Sequence, residues 1–122
     1  VVIESGLLDM LNYPRLGQGV GWSAEYGDPD DPVERAALAA YSPLHNIQPG
    51  RAYPPTLLVT HSHDPRVGEQ HSLDFAQALA AAQGSDAPIL LRVHPGSGHG
   101  PTDDEWAAER LVFLAAHLGI DR

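Results

Sequence analysis

Three short apolar runs govern what this chain can become. They are Val1-Val2-Ile3, Thr56-Leu57-Leu58-Val59-Thr60 and Ile89-Leu90-Leu91-Arg92-Val93, and each gives way to polar or glycine-containing sequence. Runs this short, continuous rather than alternating, suit strands buried on both faces. Helical patterns separate them. Asp31 followed by Pro32 reads as an N-cap with proline at the first helical position, opening a helix over 33–40. Leu73, Phe75, Ala76, Leu79 and Ala80 form a helical stripe within 69–83, with Gly84 as its stop. A last helix over 103–118 starts at Thr102, with Glu105 completing a capping box. Its expected buried stripe is Trp106, Leu111, Leu114, Ala115 and Leu118, and Gly119 ends it. Strands alternating with helices across short loops predict an α/β fold with a largely parallel sheet and right-handed crossovers. The segment from Gly6 to Gly27, with five glycines, and the four-proline stretch from Tyr41 to Pro55 read as irregular.

The 122 residues have room for one domain with a real core. A hydrophobic fraction of 43% against 19% charged residues excludes a disordered chain. Asp and Glu number 16 and the basic residues 7, all of them arginine, for a formal charge of −9. Such a field repels nucleic acid and anionic membranes, so neither is expected as a partner. Without cysteine there is no disulfide, thiolate ligand or cysteine nucleophile, and the absence fits any compartment. No apolar run approaches the roughly 20 residues of a membrane span. The chain opens inside a strand-like run, with no initiator Met and no basic leader. It is therefore expected to be an internal or C-terminal piece of a longer polypeptide.

In open parallel sheets, ligands bind beyond the carboxyl ends of the strands. Two loops leave strands at that edge: His61-Ser62-His63-Asp64-Pro65-Arg66-Val67, and Gly96-Ser97-Gly98-His99-Gly100. A carboxylate after one strand and a histidine after the next can form an acid–base pair. Two glycines around His99 allow a tight turn that projects its ring. Plainer readings stand beside these. Asp64 could cap a helix, Trp22 could be a core residue, Arg66 could pair with Glu69 or Asp64, and Leu7, Tyr26 and Val67 could be packing residues. His61, His63, Asp64 and His71 invite a metal reading, but the His-x-His-x-Asp-His pattern of common metallohydrolases is absent, and no metal is expected. His45 and His94 read as structural or exposed. The acidic runs Asp28 to Asp31 and Asp103 to Glu105 suit turns and helix N-termini.

Five segments carry a family resemblance, in order along nearly the whole chain. They are Gly6-Leu7-Leu8-Asp9-Met10-Leu11; W-S-A-E-Y-G from Trp22 to Gly27; Y-S-P-L-H-N-I from Tyr41 to Ile47; His63-Asp64-Pro65-Arg66-Val67 with His71-Ser72; and Ser97-Gly98-His99-Gly100. The chain resembles the C-terminal part of the catalytic domain of the prolyl oligopeptidase family, serine peptidases of the α/β-hydrolase fold. The resemblance implies about three parallel strands with flanking helices in an incomplete sheet. It implies hydrolysis of short proline-containing peptides after proline through an acyl-enzyme, without metal or organic cofactor. Asp64 and His99 match the triad acid and base. Arg66 matches a residue that binds substrate backbone. Trp22 matches the ring that stacks on the substrate proline, and Tyr26, Leu7 and Val67 match positions lining the same pocket.

One departure is decisive. The chain has no G-x-S-x-G elbow, and Gly96-Ser97-Gly98 does not begin a helix after a strand. The nucleophile, the oxyanion donors and the family's β-propeller are expected upstream, so the 122 residues alone are expected to be inactive. An unpaired hydrophobic edge beside Val1 is expected to favour self-association. A cytoplasmic location is expected, with a periplasmic or secreted one left open. Two other readings remain: a dipeptidyl or acylaminoacyl peptidase of the same superfamily, and a non-catalytic α/β module that binds a partner.

Overall fold

The computed structural model describes residues 1–100 and 104–120. Strand β1 (Val2–Glu4) leads into a long irregular segment. That segment contains two 3₁₀ turns, Tyr13–Arg15 and Gly19–Trp22, and a single helical turn, α1 (Ser23–Tyr26). Helix α2 (Pro32–Tyr41) follows, then a 3₁₀ turn at Leu44–Asn46 and strand β2 (Thr56–His63). The chain ends with helix α3 (Gln70–Ala82), strand β3 (Ile89–Ser97) and helix α4 (Asp104–Leu118). The sheet order is β1-β2-β3 and both pairings are parallel, as the alternation of elements requires.

β2 lies in the middle, and its burial follows from that position. Residues 56–61 are all buried, and successive side chains serve opposite faces. Leu58 packs with Leu8, Phe75, Ala76 and Leu79 on the α3 side. Leu57 and Val59 pack with Trp106 and Phe113 on the α4 side. Glu4 ties β1 to α4, accepting from Trp106 Nε1 at 2.7 Å and from Arg110 at 3.2 Å. A third cluster of Met10, Leu11, Tyr13 and Leu38, with Leu7 and Trp22 against it, gives the irregular segment its own core.

The α2 start is as expected: the Asp31 carboxylate accepts from the Val33 and Glu34 amides at 2.8 and 3.0 Å. Several other expectations need correction. β1 and β3 are the outer strands, so they are not fully buried. β1 is half-buried, Val1 is exposed, and Leu90 and Leu91 are 46% and 38% exposed. In α3, Leu73 is only half-buried and Ala80 is exposed, while His71, Ser72 and Ala82 join the buried face. Gly84 has no positive φ; it is glycine because a Cβ there would lie 2.0 Å from the Gly50 carbonyl oxygen. In α4, Leu111 and Leu118 are exposed, Leu114 and Ala115 are half-buried, and the buried face is Trp106 with Phe113. Two full turns separate those two rings, whereas Leu111 sits off that line. The expected capping box at Thr102, and Asp103, lie outside the described residues. Among the described residues no helix is long and apolar enough to cross a membrane.

Candidate active site

The site occupies the carboxyl-terminal edge of the sheet. Asp64 follows β2 directly, and its side chain is fully shielded from solvent. Its Oδ1 accepts from the Arg66 and Val67 amides at 2.9 and 3.0 Å, a tight Asx turn. The same carboxylate meets His99 Nδ1, at 3.0 Å to Oδ2 and 3.2 Å to Oδ1. Asp64 caps no helix: α3 begins at Gln70 with Glu69 at its N-cap, so the carboxylate closes a turn and meets His99. Burial alone would raise the Asp64 pKa, but the two amide hydrogen bonds and His99 outweigh it and hold the carboxyl below its ordinary value. An ionised carboxylate only accepts, so His99 Nδ1 is the donor, and in the neutral form of the ring the lone pair is on Nε2. The ring is about one-third exposed, open enough to meet a substrate.

The Asp64 loop is braced from the irregular segment. The Gln18 amide donates to the Arg66 carbonyl at 3.0 Å. Gly17, at φ +65°, presses against the same carbonyl, and a Cβ there would lie 2.5 Å from its oxygen. Behind the loop, buried His71 accepts the Asp9 amide proton at Nδ1, 3.1 Å away. That bond, two residues from Leu7, ties the irregular segment to α3.

Leu7, Trp22, Glu25, Tyr26, Arg66, Val67 and His99 line one open cavity of about 280 Å³. All five expected pocket residues thus converge beside the expected base. Trp22 and Tyr26 meet edge-to-face with centroids 6.5 Å apart, and Tyr13 meets Tyr26 the same way at 5.7 Å. Val67 is almost fully buried, so it also serves the packing role weighed against the pocket role. Arg66 makes no ion pair with Asp64 or Glu69 among the described residues, and it is one of the residues lining the cavity. Glu25 is the residue that sequence reasoning missed. Its signal was present: it sits three positions after Trp22 in W-S-A-E-Y-G, and three residues is one helical turn.

The histidines weighed as metal ligands go separate ways. His61 is buried against Trp106, His63 is exposed and meets the Ser62 hydroxyl at 3.1 Å, and His71 lies under Asp9. Among the described residues no group of three or more His, Asp or Glu side chains could hold a metal ion. His94 is buried, stacked on Trp106 with centroids 4.7 Å apart, and His45 lies 2.9 Å from the Ser42 hydroxyl.

A parallel sheet with a carboxylate and a histidine in contact across two loops at its carboxyl edge is the arrangement of an α/β-hydrolase domain. The chain belongs to the prolyl oligopeptidase family, whose model matches residues 1–121. It is 43% identical over 121 residues to a prolyl endopeptidase of Elizabethkingia meningoseptica, covering 94% of this chain and 17% of that protein. A solved structure from a study of two prolyl endopeptidases superposes with a TM-score of 0.88 at 35% identity, covering 99% of this chain and 19% of that one. Prolyl oligopeptidase B from Galerina marginata, bound to a 35mer hydrolysis and macrocyclization substrate, superposes at 0.87 with 29% identity, covering 98% and 18%. The chain spans under one-fifth of the length of these relatives.

Proposed function

We propose that this chain supplies the acid, the base and much of the proline pocket of a serine endopeptidase that cleaves short peptides after proline. The observation that carries the reading is the 3.0 Å contact between His99 Nδ1 and a buried Asp64 carboxylate, on the rim of an aromatic cavity. In this reading His99 Nε2 takes the proton of a serine hydroxyl as its oxygen attacks the carbonyl after proline. His99 then returns that proton to the leaving amine, leaving an acyl-enzyme that water resolves. Asp64 holds the tautomer and stabilises the imidazolium. Trp22 offers its flat face to the pyrrolidine ring, and Arg66 donates to a substrate carbonyl. The serine and the oxyanion donors come from outside these 122 residues. The Galerina enzyme's macrocyclization substrate favours a second outcome of the same intermediate, attack by a peptide amine instead of water.

The test uses the full-length polypeptide and a blocked Gly-Pro chromogenic amide. Release of the chromophore, stopped by a serine-reactive phosphonate, is the expected result. Peptide products are read by mass: cleavage after proline within a chain supports the reading. Exclusive release of N-terminal dipeptides or acylated residues would replace it with the related peptidases. The isolated 122-residue chain is expected to show no turnover and to sediment as a self-associated species through the open edge of β1. Phosphonate-sensitive turnover by the isolated chain would overturn the assignment of the serine to another segment.

A further inference from the structure

His61 lies at the end of the buried run of β2 and is 3% exposed. Burying an imidazole costs free energy wherever a polar atom goes unpaired, and of the two ring nitrogens of His61 Nε2 is the one with a hydrogen-bond partner among the described residues. Its Nε2 is 3.2 Å from the carbonyl oxygen of Gly100, the residue after His99. A carbonyl only accepts, so Nε2 donates. The same ring carries the backbone on the other side of His99. A Cβ added to Gly98 would lie 2.8 Å from His61 Nε2, so Gly98 is glycine because this ring fills its side-chain space. Gly98 has no positive φ, in contrast to Gly96 and Gly100. The β2–β3 register shifts here as well: two steps on β2, from His61 to His63, oppose three on β3, from His94 to Ser97.

Beneath His61 is a stack of rings drawn from three elements. Its centroid is 4.9 Å from Trp106 of α4 and 5.9 Å from His94 of β3, and His94 lies against Trp106 at 11°. His94 Nε2 is in turn 3.2 Å from Glu109, which also meets Arg92 Nε at 2.9 Å. His61 of this group lies against the loop that bears His99, at Gly98 and Gly100.

We infer that His61 is a positioning residue: its Nε2–H to Gly100, and its ring under Gly98, hold the 98–100 loop so that His99 faces Asp64. The inference rests on the reading of His99 as the base. It assigns His61 no contact with substrate and no proton in the reaction. It assigns the orientation of the imidazole, to which proton transfer is steeply sensitive.

Three variants of the full-length polypeptide separate bond from ring. His61→Ala removes both, His61→Phe keeps the ring and removes the donor, and His61→Gln places an amide N–H near the position of Nε2. Activity is read as kcat per active site titrated with a phosphonate, so that misfolded protein does not count. For His61→Ala, kcat is expected to fall about ten- to a hundredfold with KM within threefold of the parent. His61→Phe is expected to fall about tenfold, and His61→Gln to recover at least threefold over alanine. An unchanged kcat for His61→Ala, a rise in KM that accounts for the loss, or glutamine no better than alanine would overturn the inference. Amide hydrogen exchange of the 96–100 segment gives a readout without turnover. It is expected to quicken about tenfold in His61→Ala and to recover in His61→Gln. If the parent shows no cleavage after proline, the proposed function fails, and exchange alone decides the claim on His61: equal rates in parent and His61→Ala refute it.

Discussion

The two loops of the site are built by different means. The Asp64 loop closes on itself, its carboxylate accepting from the Arg66 and Val67 amides, and is braced in addition by the Gln18 amide and Gly17 at the Arg66 carbonyl. The His99 loop leaves β3 through Gly96, Gly98 and Gly100 and takes its support from outside, at His61 and Asp64. The Asp64 side chain is buried, whereas His99 stands one-third exposed on a glycine-rich loop. The role proposed for His99 requires that exposure, because a general base must reach a proton on another group. An orienting carboxylate works best immobile and dry, where its field is least screened.

The largest effect should come from separating the two tasks of Asp64. In Asp64→Asn the side-chain oxygen can still close the turn, but the amide no longer imposes the His99 tautomer. kcat/KM for the Gly-Pro amide in the full-length polypeptide is expected to fall by about four orders of magnitude. Hydrogen exchange of the 64–68 amides should change little. Strong loosening of that loop would show that charge, and not hydrogen-bond geometry, holds the turn.

Glycine substitutions should divide the loops next. Gly17→Ala forces a positive-φ residue and a carbon onto the Arg66 carbonyl, a strain of about 1–3 kcal/mol. Exchange of the 64–68 amides is expected to quicken roughly five- to a hundredfold, with 96–100 unaffected. Gly98→Ala pushes on the His61 ring and should loosen 96–100 about fivefold, leaving 64–68 unchanged. Loosening of both loops by either variant would dissolve the contrast between them.

The smallest expected effect concerns pH. Burial lowers the pKa of His71, against the opposing pull of Asp9 and Asp74. The unfolded chain takes up this proton as pH falls through about 6.5, while the folded chain takes it up only at lower pH. Stability is therefore complete above that pH and erodes below it. In His71→Asn, which keeps an acceptor for the Asp9 amide but does not titrate, the unfolding midpoint should vary less between pH 8 and 5. The folded Asp64 carboxyl titrates below its ordinary range, so its contribution is lost only at still lower pH. An equal slope in both proteins would assign the acid sensitivity to another group.

Local chemistry made much of this legible. The Asp31-Pro32 start of α2 and the buried run of β2 depend on neighbours within a few residues, and such neighbours are visible in sequence order, although β2 runs on to His63 where the loop is expected to begin at His61. The ordered motifs pointed to Leu7, Trp22, Tyr26, Arg66, Val67, Asp64 and His99, and those residues do converge. The misreadings share a cause. Gly84 and Gly98 look like conformational glycines, but distant segments press on them, at Gly50 and at His61. Leu111 and Leu118 look like core residues, but α4 turns Trp106 and Phe113 inward. Leu90 and Leu91 look central, but the strand order leaves β3 at the edge.

By itself, then, the sequence determined the class of fold, most of the element types and the two residues, Asp64 and His99, that meet at the sheet edge, because periodicity, capping and motif spacing are local properties. Only the tertiary structure decided which ring supports His99, which glycines are needed for space, and that Glu25 enters the cavity. Those outcomes depend on which remote surfaces come within a few ångströms, and parallel strands separated by whole helices create contacts that no local pattern encodes.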